Sequence, residues 1–344
     1  MKIDVLCNDG SPLGVTSATV WGDDPKQIGV GGAELALITM CETWHKRGFD
    51  VTLYNNPRSP EKSVFQQRAI AEFEPSDNRD ILVVFRSPNE KAVPAKGMKV
   101  WWSTDQHTVG NFKHFSEFVD KIVCISPYHS EYFKSRYGIE NSIVIDLPVR
   151  LYDYSHLTVH KIKNRFLFSS VPDRGLNNLY RMWSAVQREV PDASLIITSD
   201  YRLWGTGAPM NERHRVNWLN TGNVEFVGAV KREELIKYQL TSEIMLYPCT
   251  YEELFCIAVA EAQACGVLPI TTNIGALQTT NMYKRIPVDA NDPRNDKLFI
   301  DAVVETLSGM SKLREDSMDI YDKSVDRFHP DKISELWEKV VFNE

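Results

Sequence analysis

Short, unbroken apolar runs recur along this chain and alternate with stretches whose apolar positions follow a helical period. Runs with no polar alternation read as strands buried on both faces. Ile3–Cys7 is the first, and a loop rich in Gly, Asp and Pro follows it from Asn8 to Gly31. Ala33–Arg47 sets Leu35, Leu37, Ile38, Cys41 and Trp44 at helical spacing, and Gly48 stops it. Asp50–Tyr54, Ile81–Phe85, Lys99–Trp102, Lys121–Ile125 and Ser142–Ile145 predict further strands, with helical stretches between several of them. Around Val149–Asn164 neither period holds, which predicts a linker. The rhythm then restarts with strands at Arg165–Ser169, Ser194–Thr198, Val224–Val227, Ile244–Tyr247 and Leu268–Thr271. Helices are expected at Leu176–Glu189, Glu233–Leu240, Phe255–Ala264 and near Lys297–Leu307. Tyr201–Asn220, charged and broken by Gly and Pro, reads as a long surface loop. Alternation of this kind predicts an α/β protein with parallel sheets.

The 344 residues are enough for two such domains. The expected division is an N-terminal Rossmann-like domain over 1–150 and a second over 151–318, with a C-terminal helix over 319–344 packing back toward the first. Hydrophobic content of 43% and charged content of 25% fit a soluble globular protein. A net charge of −7 argues against a chain whose main task is gripping polyanions. Cys7, Cys41, Cys124, Cys249, Cys256 and Cys265 form no CxxC pair and sit mostly in apolar runs, so they read as reduced core residues of a cytoplasmic protein. Asp4 interrupts the apolar start that a signal peptide needs, and no apolar run approaches the roughly 20 residues of a membrane span.

The strongest chemical signal is the pair Glu253 and Glu261, with seven residues between them. The pair follows the strand Ile244–Tyr247 and enters an apolar helix, after which Cys265-Gly266 leads into another strand. A strand, a short loop and a helix place Glu253 at the carboxyl end of a sheet, where open α/β proteins bind ligands. The bland alternative is one helix-entry acid and one solvated helix acid.

Four segments resemble the retaining glycosyltransferases of the large group-4 family, which have the GT-B fold. Gly29-Val-Gly-Gly-Ala-Glu-Leu, with its helix and Arg47-Gly-Phe-Asp-Val-Thr, is similar to that family's glycine-rich turn, first helix and second strand. Val119–Ser126 is similar to a strand and serine ending the N-terminal sheet, and Phe168–Leu176, with Arg174-Gly175, to the phosphate-binding turn. Glu253-Leu-Phe-Cys-Ile-Ala-Val-Ala-Glu261 fits the two-glutamate signature, and Ala264-Cys-Gly-Val-Leu-Pro-Ile fits the strand after it. The family's Gly-Arg pair is replaced by Ser169-Ser170, which leaves Arg174 as the identified diphosphate cation. Asp105 and His107 stand near the position of a histidine often found after the fourth N-domain strand.

The resemblance implies two Rossmann-like parallel-sheet domains facing across a cleft. It implies retaining, metal-independent transfer of a hexosyl or related sugar from a nucleotide-diphosphate sugar, with no cofactor. Glu253 would take hydroxyls of the donor sugar and Glu261 the ribose diol, as carboxylates accept paired hydroxyls. Arg174 would hold the phosphates, Gly175 would let the backbone approach, and amides near Phe255 and Cys256 would face the diphosphate. Gly31 and Gly32 would form the opposite lip, and Asp105 and His107 the acceptor side. The acceptor stays open among a glycan, lipid, small molecule, protein or modified nucleic acid. The alternatives are a same-fold epimerase and a nucleotide-sugar-binding protein without transferase activity.

Overall fold

The computed structural model describes residues 1–8, 29–57, 60–106, 110–155, 159–204 and 208–343. The chain divides into two compact units, Met1–Arg150 with Phe328–Glu344, and Leu151–Arg327. The segment that returns to the first unit begins at Phe328, because residues 319–327 continue the helix Met310–Arg327 of the second.

The strands of the first unit are β1 (Lys2–Leu6), β2 (Asp50–Asn55), β3 (Gln66–Ala69), β4 (Ile81–Phe85), β5 (Met98–Trp102), β6 (Lys121–Cys124) and β7 (Ser142–Val144). They form one parallel sheet in the order β3-β2-β1-β4-β5-β6-β7. The central strands are apolar because both faces are covered, and every residue of β4 is buried. The outermost strand β3, Gln-Gln-Arg-Ala, is polar and half-exposed, as suits a sheet edge. It escapes the hydrophobic pattern for that reason.

The chain's end completes this unit with aromatic packing. Trp337 from the helix Pro330–Trp337 lies 5.3 Å from Trp44 and 5.2 Å from Trp102, all edge-on. Phe342 joins them 5.5 Å from Trp44, and Lys121 Nζ holds the Val341 carbonyl at 2.7 Å. Such aromatic contacts add about 0.5–1.5 kcal/mol each beyond the area they bury.

The second unit carries β8 (Arg165–Phe168), β9 (Ser194–Ile197), β10 (Val224–Phe226), β11 (Ile244–Tyr247), β12 (Leu268–Thr272) and β13 (Lys284–Ile286). They are parallel, in the order β10-β9-β8-β11-β12-β13. β11 and β12 are wholly buried, and the edge strand β13, Lys-Arg-Ile, is not. In each sheet the strand order reverses between two neighbouring parallel strands, β1 and β4 in one and β8 and β11 in the other. Open α/β sheets bind ligands beyond the carboxyl ends of such strands.

Two expectations are corrected. The expected loop Tyr201–Asn220 contains the helix Ala208–Trp218. Among its described side chains, the buried ones are Asn211, which accepts from Tyr201 N at 2.8 Å, and Trp218, which packs edge-on to Tyr180 at 5.0 Å. With so few apolar contacts it shows no helical hydrophobic period. The glutamate helix spans Ile257–Gln263 and opens after Phe255, because Cys256 takes a left-handed backbone with φ of 70°. The stretch expected to be a linker holds buried residues, Asp153 and Tyr154 among them. Lys161 Nζ also donates to the carbonyls of Ser242 and Cys265, at 2.5 and 2.8 Å.

Candidate functional site

At the reversal point of the second sheet, two adjacent strands deliver the candidate groups. The chain leaves β8 through Ser169-Ser170 and turns at Pro172–Arg174 into the helix Leu176–Glu189. It leaves β11 through Tyr247-Pro248 toward Glu253. Gly175 joins the two exits: its φ is +104°, and a Cβ there would run into the Pro248 carbonyl, so neither the conformation nor the space admits a side chain. Asn178 Nδ2 donates to the same carbonyl at 3.2 Å.

Glu253 is the hub of this cluster. The Tyr247 hydroxyl donates to its Oε1 at 2.8 Å and lies 3.2 Å from Ser170 Oγ. Arg174 Nε stands 3.4 Å from the same carboxylate oxygen, and its guanidinium carbon is 3.1 Å from the centre of the Tyr251 ring. The two charged side chains are only 13% and 14% exposed. Burial raises the Glu253 pKa above the usual carboxylate range, and Arg174 and Tyr247 offset part of that rise. Burial and then Glu253 hold Tyr247 well above the ordinary tyrosine value, so it remains a donor. Burial also pushes the Cys249 thiol up to about 12, which removes it as a thiolate nucleophile at neutral pH. Behind Glu253, the Ala276 amide donates to the Glu253 carbonyl at 2.7 Å, and a Cβ on Gly275 would collide with the Glu253 backbone.

Glu261 has other partners. Arg232 Nη1 is 2.7 Å from its Oε1, Gln239 Nε2 donates to its Oε2 at 3.1 Å, and the side chain is 7% exposed. Glu261 is therefore not the solvated helix acid of the bland reading. Phe255 is buried, and the Cys256 carbonyl accepts from Val259 N and Ala260 N at 3.1 and 3.2 Å.

The first unit holds Gly31, Gly32 and Asp105. Gly32 opens the helix Gly32–Lys46, and the Gly31 carbonyl accepts from Leu35 N at 2.9 Å. A Cβ on Gly31 would strike the Glu34 carboxylate. Glu34 in turn pairs at 2.7 Å with Arg86, which leaves β4 with φ of 62°. A non-glycine residue held there marks a position the surrounding structure over-determines. Asp105 follows β5, and its Oδ1 accepts from the next amide, Gln106 N, at 2.8 Å. His107 lies outside the described residues.

The structure thus brings Arg174, Gly175 and Glu253 together and gives Glu261 a separate buried setting in the same unit. Tyr247, Arg232, Arg86 and Glu34 escape the sequence reading. Tyr247 carries a signal, a polar-tipped residue ending a buried strand, whereas the other three are recognisable only through partners far along the chain.

Residues 163–295 match the family described as glycosyl transferases group 1. No curated protein matches the chain. Among solved structures, a glycosyltransferase from Rickettsia africae superposes with a TM-score of 0.74 at 14% identity, covering 100% of this chain and 99% of that one. HepE from Anabaena, solved with UDP and glucose, gives 0.70 at 14% identity over 99% of both chains. Sucrose-phosphate synthase from Thermosynechococcus elongatus gives 0.69 at 15% identity over 99% and 98%. The chain therefore has the GT-B fold, and its residues 163–295 are similar to the glycosyl transferases group 1 family.

Proposed function

We propose that this protein is a retaining glycosyltransferase that moves a hexosyl or related sugar from a nucleotide-diphosphate sugar to an acceptor without a metal ion. The observation that carries the reading is the Arg174–Glu253–Tyr247 cluster at the reversal point of the second sheet. HepE, with the same fold, binds UDP-glucose, which supports a nucleotide sugar as donor.

In this reading Arg174 bears the charge that develops on the leaving diphosphate, and Gly175 lets the phosphates approach the backbone. Glu253 accepts hydroxyls of the donor sugar, and Glu261 a ribose hydroxyl. Phe255 and Cys256 frame the diphosphate. Gly31 and Gly32 serve the sugar phosphate, and Asp105 and His107 the acceptor. The bond from the anomeric carbon to the phosphate oxygen breaks, an acceptor oxygen takes its place on the same face, and the acceptor proton passes to the leaving phosphate. Among the described residues no helix is long and apolar enough to cross a membrane. The six free, buried cysteines fit a cytoplasmic location.

The test is incubation with radiolabelled UDP-, GDP-, ADP- and CDP-sugars, with and without EDTA, alone and with an acceptor panel. Hydrolysis or transfer that survives EDTA, with the anomeric configuration kept in the product, supports the reading. Tight binding without turnover identifies a nucleotide-sugar-binding protein instead, and an isomerised donor sugar identifies an epimerase.

A further inference from the structure

Glu261 belongs to a closed ring of buried polar groups drawn from three segments of the second unit. Arg232, the first residue of the helix Arg232–Thr241, reaches Glu261 Oε1 at 2.7 Å with Nη1 and Asp153 Oδ2 at 3.0 Å with Nε. Its Nη2 donates to the Tyr154 hydroxyl at 3.0 Å. That hydroxyl donates to Gln239 Oε1 at 3.0 Å, and Gln239 Nε2 closes the ring on Glu261 Oε2 at 3.1 Å. The Arg232 and Asp153 side chains are 2% and 0% exposed.

Stability alone gives no reason to keep such a ring. Buried ion pairs contribute little net stability against well-packed apolar residues, and here one guanidinium faces two carboxylates. Burial works against the Arg232 charge, but Glu261, Tyr154 and Asp153 outweigh it and raise its pKa. One acceptor in the ring is also left over. The Arg232–Glu261 contact lies off the hydrogen-bond direction, and Glu261 Oε1 accepts no hydrogen bond from the described residues. Held there by the charge of Arg232 alone, this carboxylate oxygen keeps lone pairs for a hydroxyl donor. A sugar hydroxyl is such a donor.

We propose that Arg232 is a positioning residue for nucleotide recognition: it fixes the Glu261 carboxylate, with Gln239 and Tyr154 securing Oε2, so that Oε1 is preset to accept a ribose hydroxyl of a nucleoside diphosphate. The inference rests on the donor reading above. Presetting the acid removes the ordering cost that a mobile side chain incurs on binding. Asp153 accepts from Arg232 Nε, whereas Glu261 faces Nη1, so Asp153 neutralises the buried guanidinium and does not meet the ribose.

The test titrates the full chain with UDP, GDP, ADP and CDP, takes the tightest binder as the probe, and uses pyrophosphate as a ligand without ribose. Arg232→Met should weaken the probe about tenfold or more, and leave pyrophosphate within about twofold. In turnover assays the loss should appear in the donor KM with a smaller change in kcat. Asp153→Asn removes a charge from the same buried ring but keeps an acceptor for Arg232 Nε and the Arg232–Glu261 contact, so its affinity for the probe should stay within about threefold of wild type. A cooperatively melting Arg232→Met protein with wild-type affinity overturns the inference. So does an equal loss for pyrophosphate, or an equal loss in Asp153→Asn, because either means that Arg232 acts only through the fold. If the Met variant does not melt cooperatively, Arg232→Lys decides. One ammonium cannot reproduce the fork that reaches three partners, so a folded Lys variant should show an intermediate loss, and unchanged affinity overturns the inference. Wild-type protein that binds no member of the panel overturns the donor reading and this inference together.

Discussion

Each of the two sheets ends, at its reversal point, in an arginine paired with a glutamate, and the two pairs differ. In the first unit Arg86 holds Glu34 at 2.7 Å, with side chains 17% and 12% exposed. In the second, Arg174 stands 3.4 Å from Glu253, its guanidinium lies on the Tyr251 ring, and the carboxylate shares its oxygen with Tyr247. The first pair is short and direct, and its carboxylate stands where a Cβ on Gly31 would be. The second is a loose contact at an acid whose ionised form burial disfavours. A charge pair short of its best geometry has more to gain from a ligand than a tight one. The same topology therefore offers two candidate sites, and the looser pair of the second is the one on which the proposed donor reading rests.

The largest effect expected is on turnover. Glu253→Gln should lower kcat by about 100-fold or more if the acid meets the sugar as charge develops there, since a preorganised group at the reacting centre is worth roughly 10²–10³ in rate. It should leave affinity for the bare nucleoside diphosphate almost unchanged, because that ligand lacks the sugar. Steady-state kinetics and calorimetry on one preparation check both halves. Normal turnover in a folded Glu253→Gln protein removes the acid from the chemistry.

The next effect sharpens the contrast between the arginines. Arg174→Ala should weaken a nucleoside diphosphate by about 10–150-fold, the equivalent of roughly 1.5–3 kcal/mol for a charged hydrogen bond, and weaken the nucleoside far less. Arg86→Ala should change nucleoside diphosphate affinity less than Arg174→Ala does. Equal losses in the two variants break the comparison.

Tyr247→Phe is a smaller cut into the same cluster. It removes one neutral hydroxyl donor to Glu253 and keeps the ring packed on Phe168 at 5.6 Å. A hydrogen bond of that kind is worth about 1 kcal/mol, so kcat should fall about fivefold with the donor KM little changed. A rise in the donor KM alone, with kcat intact, would mean that the tyrosine serves binding and not the acid.

How far the sequence showed all this depends on the range over which each feature is encoded. β4 and β11 were legible because both faces are buried and the run is unbroken, and their bounds agree residue for residue. β3 and β13 were not, because edge strands face water and carry Gln, Arg and Lys. The helix Ala208–Trp218 leaves no helical period because, among its described side chains, a polar tie at Asn211 and one packed Trp218 are the buried anchors. Among the candidate groups, Glu253 and Glu261 stand out by their spacing, and Arg174 and Gly175 through the resemblance of Phe168–Leu176 to a phosphate-binding turn. Arg232 was not: it pairs with Asp153 across 79 positions, and no local period records such a meeting. Arg86 is the same case, 52 positions from Glu34.

The smallest effect concerns stability, and it follows from the state of Glu253 itself. Burial raises its pKa above that of a glutamate in the unfolded chain, about 4.3, with Arg174 and Tyr247 offsetting only part. Between the two values the folded protein keeps a proton that the unfolded chain has released. Stability then falls as pH rises through that window and levels off above the folded value, because the folded state binds more protons there. Glutamine carries no such proton. The Tm of Glu253→Gln minus that of wild type should therefore be flat below about pH 4, climb as the pH passes through the window, and reach a plateau. Arg174 is charged throughout, so leaving it without its acid shifts the baseline of this difference and not its slope. Paired thermal melts from about pH 3.5 to pH 8 read the curve directly. A difference that narrows as pH rises means Glu253 is stabilised as an anion in the fold, which would make its pair with Arg174 as tight as the one in the first unit.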